Sequence, residues 1–296
     1  MVLTVSDMAF DERDLSQETL RLVLLGTGTP NAETDRAGAA VGVVAGGEGL
    51  LVDAGPGVVR RAMAAFERGS EPLHPARIRR AFVTHLHSDH TLGLPDLIFT
   101  PWTLGRGEPL SLYGPRGLRA MVDHTMAAWR EDIRQRVEGL EPAVGTGPLV
   151  EVHEIETPGA IYRDDDRDVT VEAFAVNHGA WPAWGYKIVS SGRSVVISGD
   201  TAPCESIREA SCGCDVLLHE VYSAEGLERR PPDWRAYHTA VHTSSHELAR
   251  IASEARPGLL VLYHQLLWGV TEEELVAEVR AAYDGPVVSG RDLDEY

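Results

Sequence analysis

Val83-Thr-His85-Leu-His87-Ser-Asp89-His90 is the stretch on which the fold assignment depends, because it places three imidazoles and a carboxylate in six positions. Imidazole nitrogen and carboxylate oxygen are ligands of zinc, iron(II) and manganese. Residues 80–84, with Ala-Phe-Val at their centre, predict a buried strand, in which side chains two positions apart point to one side. His85 and His87 are therefore predicted to face one ion. Asp89 and His90 follow where the strand turns into a loop, and their diverging side chains can reach a second ion.

Three later apolar segments each end in a residue that can bind a metal. These residues are His178, Asp200 and His264. In α/β proteins the ends of strands form the rim on which ligands are held. Each residue alone is equally compatible with an ordinary loop or capping role. Together they predict that the stretch at 85–90 is completed by partners from three other strands.

The composition limits the classes of function. The 296 residues carry a formal net charge of −18, which disfavours binding of nucleic acid through bulk electrostatics. The three cysteines, Cys204, Cys212 and Cys214, form no disulfide framework and indicate a reducing compartment. Residues 1–14 lack a signal-peptide pattern, and the most apolar window, 37–54, is interrupted by glycines. We expect a cytoplasmic protein without a membrane span, either monomeric or homodimeric.

The order of predicted elements favours one domain. No internal repeat, low-complexity tract or linker is present, so we expect a lead-in over 1–20 and a single domain over 21–296. Two strand-rich halves, 22–113 and 150–200, each bring helices with them. This pattern predicts two sheets packed face to face and covered outside by helices. Residues 118–137 predict one long amphipathic helix between the halves.

A set of motifs appears in a fixed order over residues 20–290. They are Leu25-Gly-Thr-Gly-Thr-Pro30, Asp53-Ala-Gly55, Thr84 to His90, Leu112-Tyr-Gly-Pro115, Asn177-His178, Gly185-Tyr186, Ser198-Gly-Asp-Thr201, His219-Glu220, His242-Thr-Ser244 and His264. In these motifs the chain resembles the metallo-β-lactamase-fold hydrolases, and among them the branch of ribonuclease Z and related phosphodiesterases. The resemblance implies an α/β fold, a four-layer αββα sandwich of two mixed sheets, with two divalent metal ions in a cleft along one edge.

The resemblance also implies a ligand set. By motif position, one ion is held by His85, His87 and His178, the other by Asp89, His90 and His264, and Asp200 bridges them. Zinc is the expected metal, with manganese and iron as alternatives. A water between two divalent ions loses a proton near neutral pH and becomes the nucleophile. Asp89 is expected to orient or deprotonate that water.

A leaving alkoxide needs a proton, and the family motifs implicate His242 as its donor. Glu220 is expected to hold and charge the imidazole of His242. The alternative is that Glu220 only supports the structure around the site. His238 and His246 flank His242 and are rival candidates for the proton donor.

The substrate is inferred from a departure from the family. Bacterial and long forms of ribonuclease Z carry an arm that clasps transfer RNA, placed between the lone histidine and the bridging aspartate. The interval 179–199 has no room for that arm. We therefore expect a hydrolase of a small phosphodiester, and the sequence disfavours a nucleic-acid partner. The alternatives are a hydrolase of a carboxylic ester, lactone, thioester or aryl sulfate, a transfer-RNA end-processing enzyme, and a non-catalytic metal- or RNA-binding protein.

Aromatic and basic residues near the ligand motifs leave two interpretations open. The aromatic residues are Trp102, Trp181, Trp184, Tyr186, Trp234, Tyr237 and Trp268. They form either an apolar wall for the organic part of the substrate or ordinary loop packing. The basic residues Arg229, Arg230 and Arg235 are candidates for contact with a phosphate or carboxylate.

Overall fold

The computed structural model describes residues 20–142 and 145–296. The predicted lead-in over 1–20 lies outside the described residues except for Leu20, which is buried. No helix within the described ranges is long and apolar enough to cross a lipid bilayer.

The first sheet has six strands in the order β1 to β6. They are β1 (Arg21–Gly26), β2 (Ala40–Ala45), β3 (Glu48–Val52), β4 (Arg80–Phe82), β5 (Leu110–Gly114) and β6 (Val150–Glu154). Strands β1 to β3 form an antiparallel meander, and β3 to β6 run parallel. The turn between β2 and β3 uses Gly46 and Gly47 at positive φ, a conformation that glycine adopts without a Cβ clash.

The second sheet has seven strands in the order β13 to β7. They are β7 (Gly159–Asp164), β8 (Val169–Ala175), β9 (Trp184–Ser190), β10 (Arg193–Ile197), β11 (Val216–Tyr222), β12 (Leu259–Leu266) and β13 (Val287–Ser289). Strands β7 to β10 are antiparallel, and β10 to β13 are parallel. Both sheets are therefore mixed, as predicted, but the predicted halves were wrong in one respect: 150–154 pairs with the first sheet.

Ten α-helices are described. They are α1 (Val58–Glu67), α2 (Ser88–Thr91), α3 (Leu94–Thr103), α4 (Leu118–Ala128), α5 (Arg130–Glu138), α6 (Glu205–Ser211), α7 (Ala224–Leu227), α8 (Pro232–Val241), α9 (Ser245–Ala255) and α10 (Glu272–Arg280). Helices α1, α3 and α4 pack on the first sheet, and α6, α9 and α10 pack on the second. The two sheets enclose a third apolar layer between them. These layers confirm the αββα sandwich.

Strand β1 shows how the sequence serves two layers at once. Leu22 and Leu24 lie in the layer between the sheets, whereas Val23 and Leu25 lie in the layer beneath α1 and α3. Successive side chains of a strand point to opposite faces. A strand that is buried on both faces therefore reads as an unbroken apolar run.

The predicted helix over 118–137 was wrong, because two helices occupy the segment. The break lies at Trp129, whose backbone (φ −97°, ψ 12°) leaves the helical range. The ring of Trp129 stacks on Phe99 of α3, with 5.6 Å between ring centres. Helix α4 buries Leu118 and Val122, but α5 buries no residue. The amphipathic pattern does not mark this change of direction.

Candidate metal centre

The ligand-type residues lie where strands end or bend at one edge of the sandwich. His85 and His87 follow β4, Asp89 and His90 lie in α2, His178 follows β8, Asp200 follows β10, and His264 lies within β12. They form two groups, His85 with His87, His178 and Asp200, and Asp89 with His90 and His264. Within each group, one donor atom per residue lies within 4.8 Å of the others. The fold thus brings all seven predicted metal ligands into these two groups.

Asp200 lies between the two groups. Its Oδ1 is 3.4 Å from His90 Nε2 and 3.6 Å from His264 Nδ1. Its Oδ2 is 3.9 Å from His85 Nε2. Each carboxylate oxygen therefore faces a different group, as expected of a carboxylate that bridges two ions.

Hydrogen bonds on the outer side of two histidines fix their tautomers. His90 Nδ1 lies 2.8 Å from Asp53 Oδ2, and His178 Nδ1 lies 2.8 Å from the carbonyl oxygen of Val241. Each acceptor places the proton on Nδ1 and leaves the Nε2 lone pair for a metal. Asp53 is held in turn by the backbone N–H of Thr84, at 2.8 Å. The Asp53-Ala-Gly55 motif was identified in the sequence, but no role was predicted for Asp53.

His264 is placed by a bulge. The sequence predicted that His264 ends its strand, but β12 continues to Leu266. The register of β11 and β12 shifts between Glu220 and Val221, so His264 has no partner there. Its φ of 46° is left-handed, which costs a non-glycine residue about 1 kcal/mol. A bulge can re-aim a side chain, and here it brings His264 next to Asp89 and Asp200.

Several buried nitrogen and oxygen atoms that could bind a metal lack hydrogen-bond partners. His85 Nε2, His90 Nε2, Asp200 Oδ1 and His264 Nδ1 accept or donate no hydrogen bond within the described residues. A buried polar atom left unsatisfied costs about 1–3 kcal/mol. In addition, His178 Nε2 lies 3.2 Å from His87 Nδ1. Cations would satisfy these atoms together, and a set of nitrogen and oxygen donors fits zinc, manganese or iron.

The charges of the cluster are strongly coupled. Burial, reinforced by His90, lowers the pKa of His85 well below its ordinary value. Burial alone would also lower the pKa of His90, but Asp200 and Asp53 raise it well above its ordinary value. Asp200 shows the reverse balance, because His264 and His90 overcome burial and lower its pKa. The negative charge of Asp200 is therefore stabilised by positive groups around it. Bound cations would provide the same stabilisation.

His242 lies next to this cluster. Its Nδ1 is 3.3 Å from Glu220 Oε1 and 3.9 Å from Asp200 Oδ2. Glu220 Oε1 also accepts a hydrogen bond from the backbone N–H of Thr243, at 3.0 Å. Burial, partly offset by Asp200, lowers the pKa of His242 to about 4, and burial raises the pKa of Glu220. In the chain alone the imidazole is thus neutral, and the predicted charged form needs a further negative group beside it.

The two rival histidines differ in position. His246 is exposed on α9 and does not line the cavity. His238 is 8% exposed, and its ring centre lies 5.5 Å from that of His242. His238 therefore stays a rival of His242, whereas the position of His246 does not suit proton delivery.

A cavity of about 460 Å³ opens over the cluster. Its lining includes Asp89, Asp200, His242 and His264, here called the floor, and Arg230, Trp234, Tyr237, His238 and Trp268, here called the wall. Trp181 lies beside His87, with 4.4 Å between ring centres. Trp102, Trp184 and Tyr186 are instead buried in the core layers. Of the predicted aromatic residues, Trp234, Tyr237 and Trp268 therefore line this cavity.

The free cysteines lie outside both donor groups. Cys204, Cys212 and Cys214 form no disulfide, as predicted. The sulfur-free donor set agrees with the expectation of borderline divalent metals.

Comparison with known proteins gives the family. Residues 49–265 match the family described as the beta-lactamase superfamily domain. Ribonuclease Z of Mycobacterium bovis (strain BCG / Pasteur 1173P2) is 34% identical over 280 residues, which cover 93% of this chain and 96% of that protein. Ribonuclease Z of Mycobacterium marinum is 32% identical over 281 residues, with coverage of 93% and 97%.

Solved structures agree on the fold. The short form of human tRNase Z superposes with a TM-score of 0.69 at 23% identity, covering 93% of this chain and 98% of that one. The metallo-beta-lactamase fold protein YhfI of Bacillus subtilis has a TM-score of 0.71 at 18% identity, covering 94% and 99%. A diphosphatase of the PhnP family has a TM-score of 0.65 at 19% identity, covering 94% and 97%.

The relatives also bear on the predicted partner. Because they are ribonucleases by name, they do not support the expectation that a nucleic-acid partner is disfavoured. The resemblance stated from the motifs is confirmed by the match over 49–265 and by similarity along nearly the whole of both chains. The chain belongs to the beta-lactamase superfamily and, within it, to the ribonuclease Z-like hydrolases.

Proposed function

We propose that the chain is a dinuclear metal-dependent hydrolase that acts on a small phosphodiester. The observation that carries the proposal is the position of Asp200. Its Oδ2 faces one donor group and its Oδ1 faces the other. Asp200 also lines the same cavity as His242. Two adjacent donor groups suit an in-line displacement, in which the attacking and leaving oxygens both need charge stabilisation.

The ligand assignment follows the two donor groups. One divalent ion would be held by His85, His87 and His178, a second by Asp89, His90 and His264, and both by Asp200. When bound, the ions would lower the pKa of a water towards neutral and offset the charge that grows on phosphoryl oxygen. Zinc is the proposed metal because the donors are imidazole and carboxylate.

The protein's own groups handle the protons. Asp89 lines the cavity floor and is oriented by His264, whose Nε2 lies 3.1 Å from Asp89 Oδ2. Asp89 would orient the attacking water or accept its proton. His242 would give a proton to the leaving oxygen. Glu220 holds His242 in place, and the phosphodiester anion would raise the pKa of the imidazole towards the charged form.

Two further functions are each favoured by one observation. The names of the sequence relatives favour processing of RNA ends. Against it, the interval 179–199, where the arm is expected, contains only the hairpin of β9 and β10 and its connections. The aromatic wall favours an ester or thioester with an apolar group.

The three free cysteines support a reducing, cytoplasmic location.

Metal removal tests the proposal. The purified protein is expected to contain about two divalent ions per chain by elemental analysis and to hydrolyse bis(p-nitrophenyl) phosphate. EDTA treatment should abolish this hydrolysis, and added zinc or manganese should restore it. The same preparation is assayed with p-nitrophenyl acetate and with a precursor transfer RNA. Full phosphodiesterase activity in metal-free protein would overturn the proposal. A preference for p-nitrophenyl acetate would instead indicate an esterase, and a preference for the precursor transfer RNA an RNA-processing enzyme.

A further inference from the structure

We propose that Arg230, with Trp234 and Trp268, forms a second anion-binding position in the cavity and selects phosphodiesters that carry a further phosphate and a planar base. The inference rests on the proposed phosphodiesterase function and names its substrate class: a short nucleotide bearing a terminal phosphate. Arg230 lies in the connection between α7 and α8 and lines the same cavity as the candidate metal ligands Asp89, Asp200 and His264.

Arg230 differs from the two neighbouring arginines in its contacts. Arg229 donates a hydrogen bond to the carbonyl oxygen of Gly269, at 2.6 Å. Arg235 pairs with Glu228, at 3.0 Å. The guanidinium group of Arg230 has neither an ion pair nor a hydrogen bond with any residue in the described ranges, and its Nε is buried without a partner. Arg230 as a whole is only partly buried, but its enclosed Nε lacks an acceptor, which is costly for a charged donor. An anionic ligand at the guanidinium group would supply one.

The surroundings of Arg230 hold it in place without using its donors. Its guanidinium carbon lies 5.7 Å from the ring centre of Trp234 and 5.7 Å from that of Trp268. Contact with ring faces is electrostatically favourable for a guanidinium group. The N–H groups lie in the guanidinium plane and stay available for a bidentate bond to phosphate. Arg230 is therefore positioned before the ligand arrives.

The same wall offers rings for a planar group. Trp234 is 49% exposed and Tyr237 is 41% exposed, although large aromatic side chains are mostly buried. Trp234 stacks on His238 with an interplanar angle of 24°, which limits its movement. A base that stacks on an exposed ring gains binding energy with little dependence on sequence. A positive group beside such rings, in a chain of net charge −18, matches a nucleotide that carries its own extra phosphate.

The test compares three dinucleotides that share one scissile bond. TpT, pTpT with a 5′-phosphate and TpTp with a 3′-phosphate are assayed with the zinc-loaded protein. At least one phosphorylated form is expected to exceed TpT in kcat/KM by about tenfold or more, as is typical of a charge-assisted contact. In Arg230→Met this ratio should fall to within about twofold of unity. Arg229→Met, which lacks the cavity contact, should keep the ratio, and Arg230→Lys should keep part of it.

A binding measurement distinguishes failure of the second anion position from failure of the proposed phosphodiesterase function. Quenching of tryptophan fluorescence by thymidine 5′-phosphate is compared with quenching by thymidine in wild type and Arg230→Met, with thermal melting to verify folding. Selective binding of the phosphate that disappears in Arg230→Met supports the site even if no dinucleotide is cleaved, in which case only the proposed function fails. Cleavage of TpT without preference for either phosphorylated form, or an unchanged preference in Arg230→Met, overturns the second anion position and leaves the proposed function standing.

Discussion

The floor and the wall of one cavity are built on different principles. The floor consists of buried histidines and aspartates that are held by hydrogen bonds from outside, such as those of Asp53 and the Val241 carbonyl group. The wall consists, besides Arg230, of rings from α8 and the segment after β12 that contact one another, and among these Trp234 and Tyr237 are exposed. The floor is therefore held by the sandwich, whereas the wall presents the exposed rings of Trp234 and Tyr237.

This difference separates chemistry from selectivity. Buried donors with unsatisfied atoms depend on bound cations, so a change there should remove activity altogether. Exposed rings become buried only when a substrate packs against them. A substitution there should therefore alter the affinity for the substrate. Substitutions in the floor are thus expected to act on kcat and metal content, and substitutions in the wall on KM.

The largest effect is expected for Asp200→Ala, which removes the carboxylate between the two donor groups. The kcat/KM for bis(p-nitrophenyl) phosphate should fall by about 10³-fold or more, and elemental analysis should show loss of at least one ion. Glu225→Ala, which removes a carboxylate exposed on α7, is the control and should leave both quantities unchanged. If Asp200→Ala keeps two ions and most of its activity, the floor is not a shared metal centre.

The next effect is expected for His242→Gln, which should lower kcat by about 10²–10³-fold because it removes the proton donor. Metal content should stay at the wild-type level, since no atom of His242 belongs to either donor group. His246→Gln, an exposed histidine of α9, is the matched control. His238→Gln decides the remaining rivalry. A larger loss of kcat in His238→Gln than in His242→Gln would reassign the donor.

A smaller effect is expected for Asp53→Asn. The substitution places an amide against His90 Nδ1, where an acceptor is needed to hold the tautomer. Metal affinity should weaken by about 10- to 100-fold, measured by competition with a chromogenic chelator. Asp215→Asn is the control, because Asp215 accepts a hydrogen bond from the backbone N–H of Ser194, near the start of β10, and does not line the cavity. Equal metal affinity in Asp53→Asn and wild type would show that Asp53 does not orient His90.

The floor could be predicted from the sequence because its ligand-type residues are clustered or stand next to apolar runs. His85 to His90 is rich in ligand types, and His178, Asp200 and His264 each end or interrupt an apolar run. Asp53 was not assigned, since a single aspartate before Ala-Gly is also an ordinary turn residue. The bulge at His264 was missed as well, because register depends on pairing with β11 and leaves no local pattern.

The wall could be predicted only as a set of alternatives. Trp184 and Trp234 look alike in sequence, but Trp184 is 8% exposed in the core and Trp234 is 49% exposed in the cavity. Their difference arises from the placement of β9 and α8, which is a tertiary property. Strand β7 was missed for a related reason, because most of its residues are exposed or partly exposed and show no apolar alternation.

The smallest effect is expected for Trp234→Leu, which removes a ring from the wall and leaves the floor intact. KM for an aryl phosphodiester should rise by about 3- to 10-fold, the size of one aromatic contact, while kcat stays within about twofold. Trp129→Leu is the matched control, because Trp129 is 42% exposed but lies between α4 and α5 and does not line the cavity. A similar change of KM in both variants would indicate a general effect on folding. An unchanged KM in Trp234→Leu would mean that the exposed rings do not contact the substrate, and the division between floor and wall would then rest on Arg230 alone.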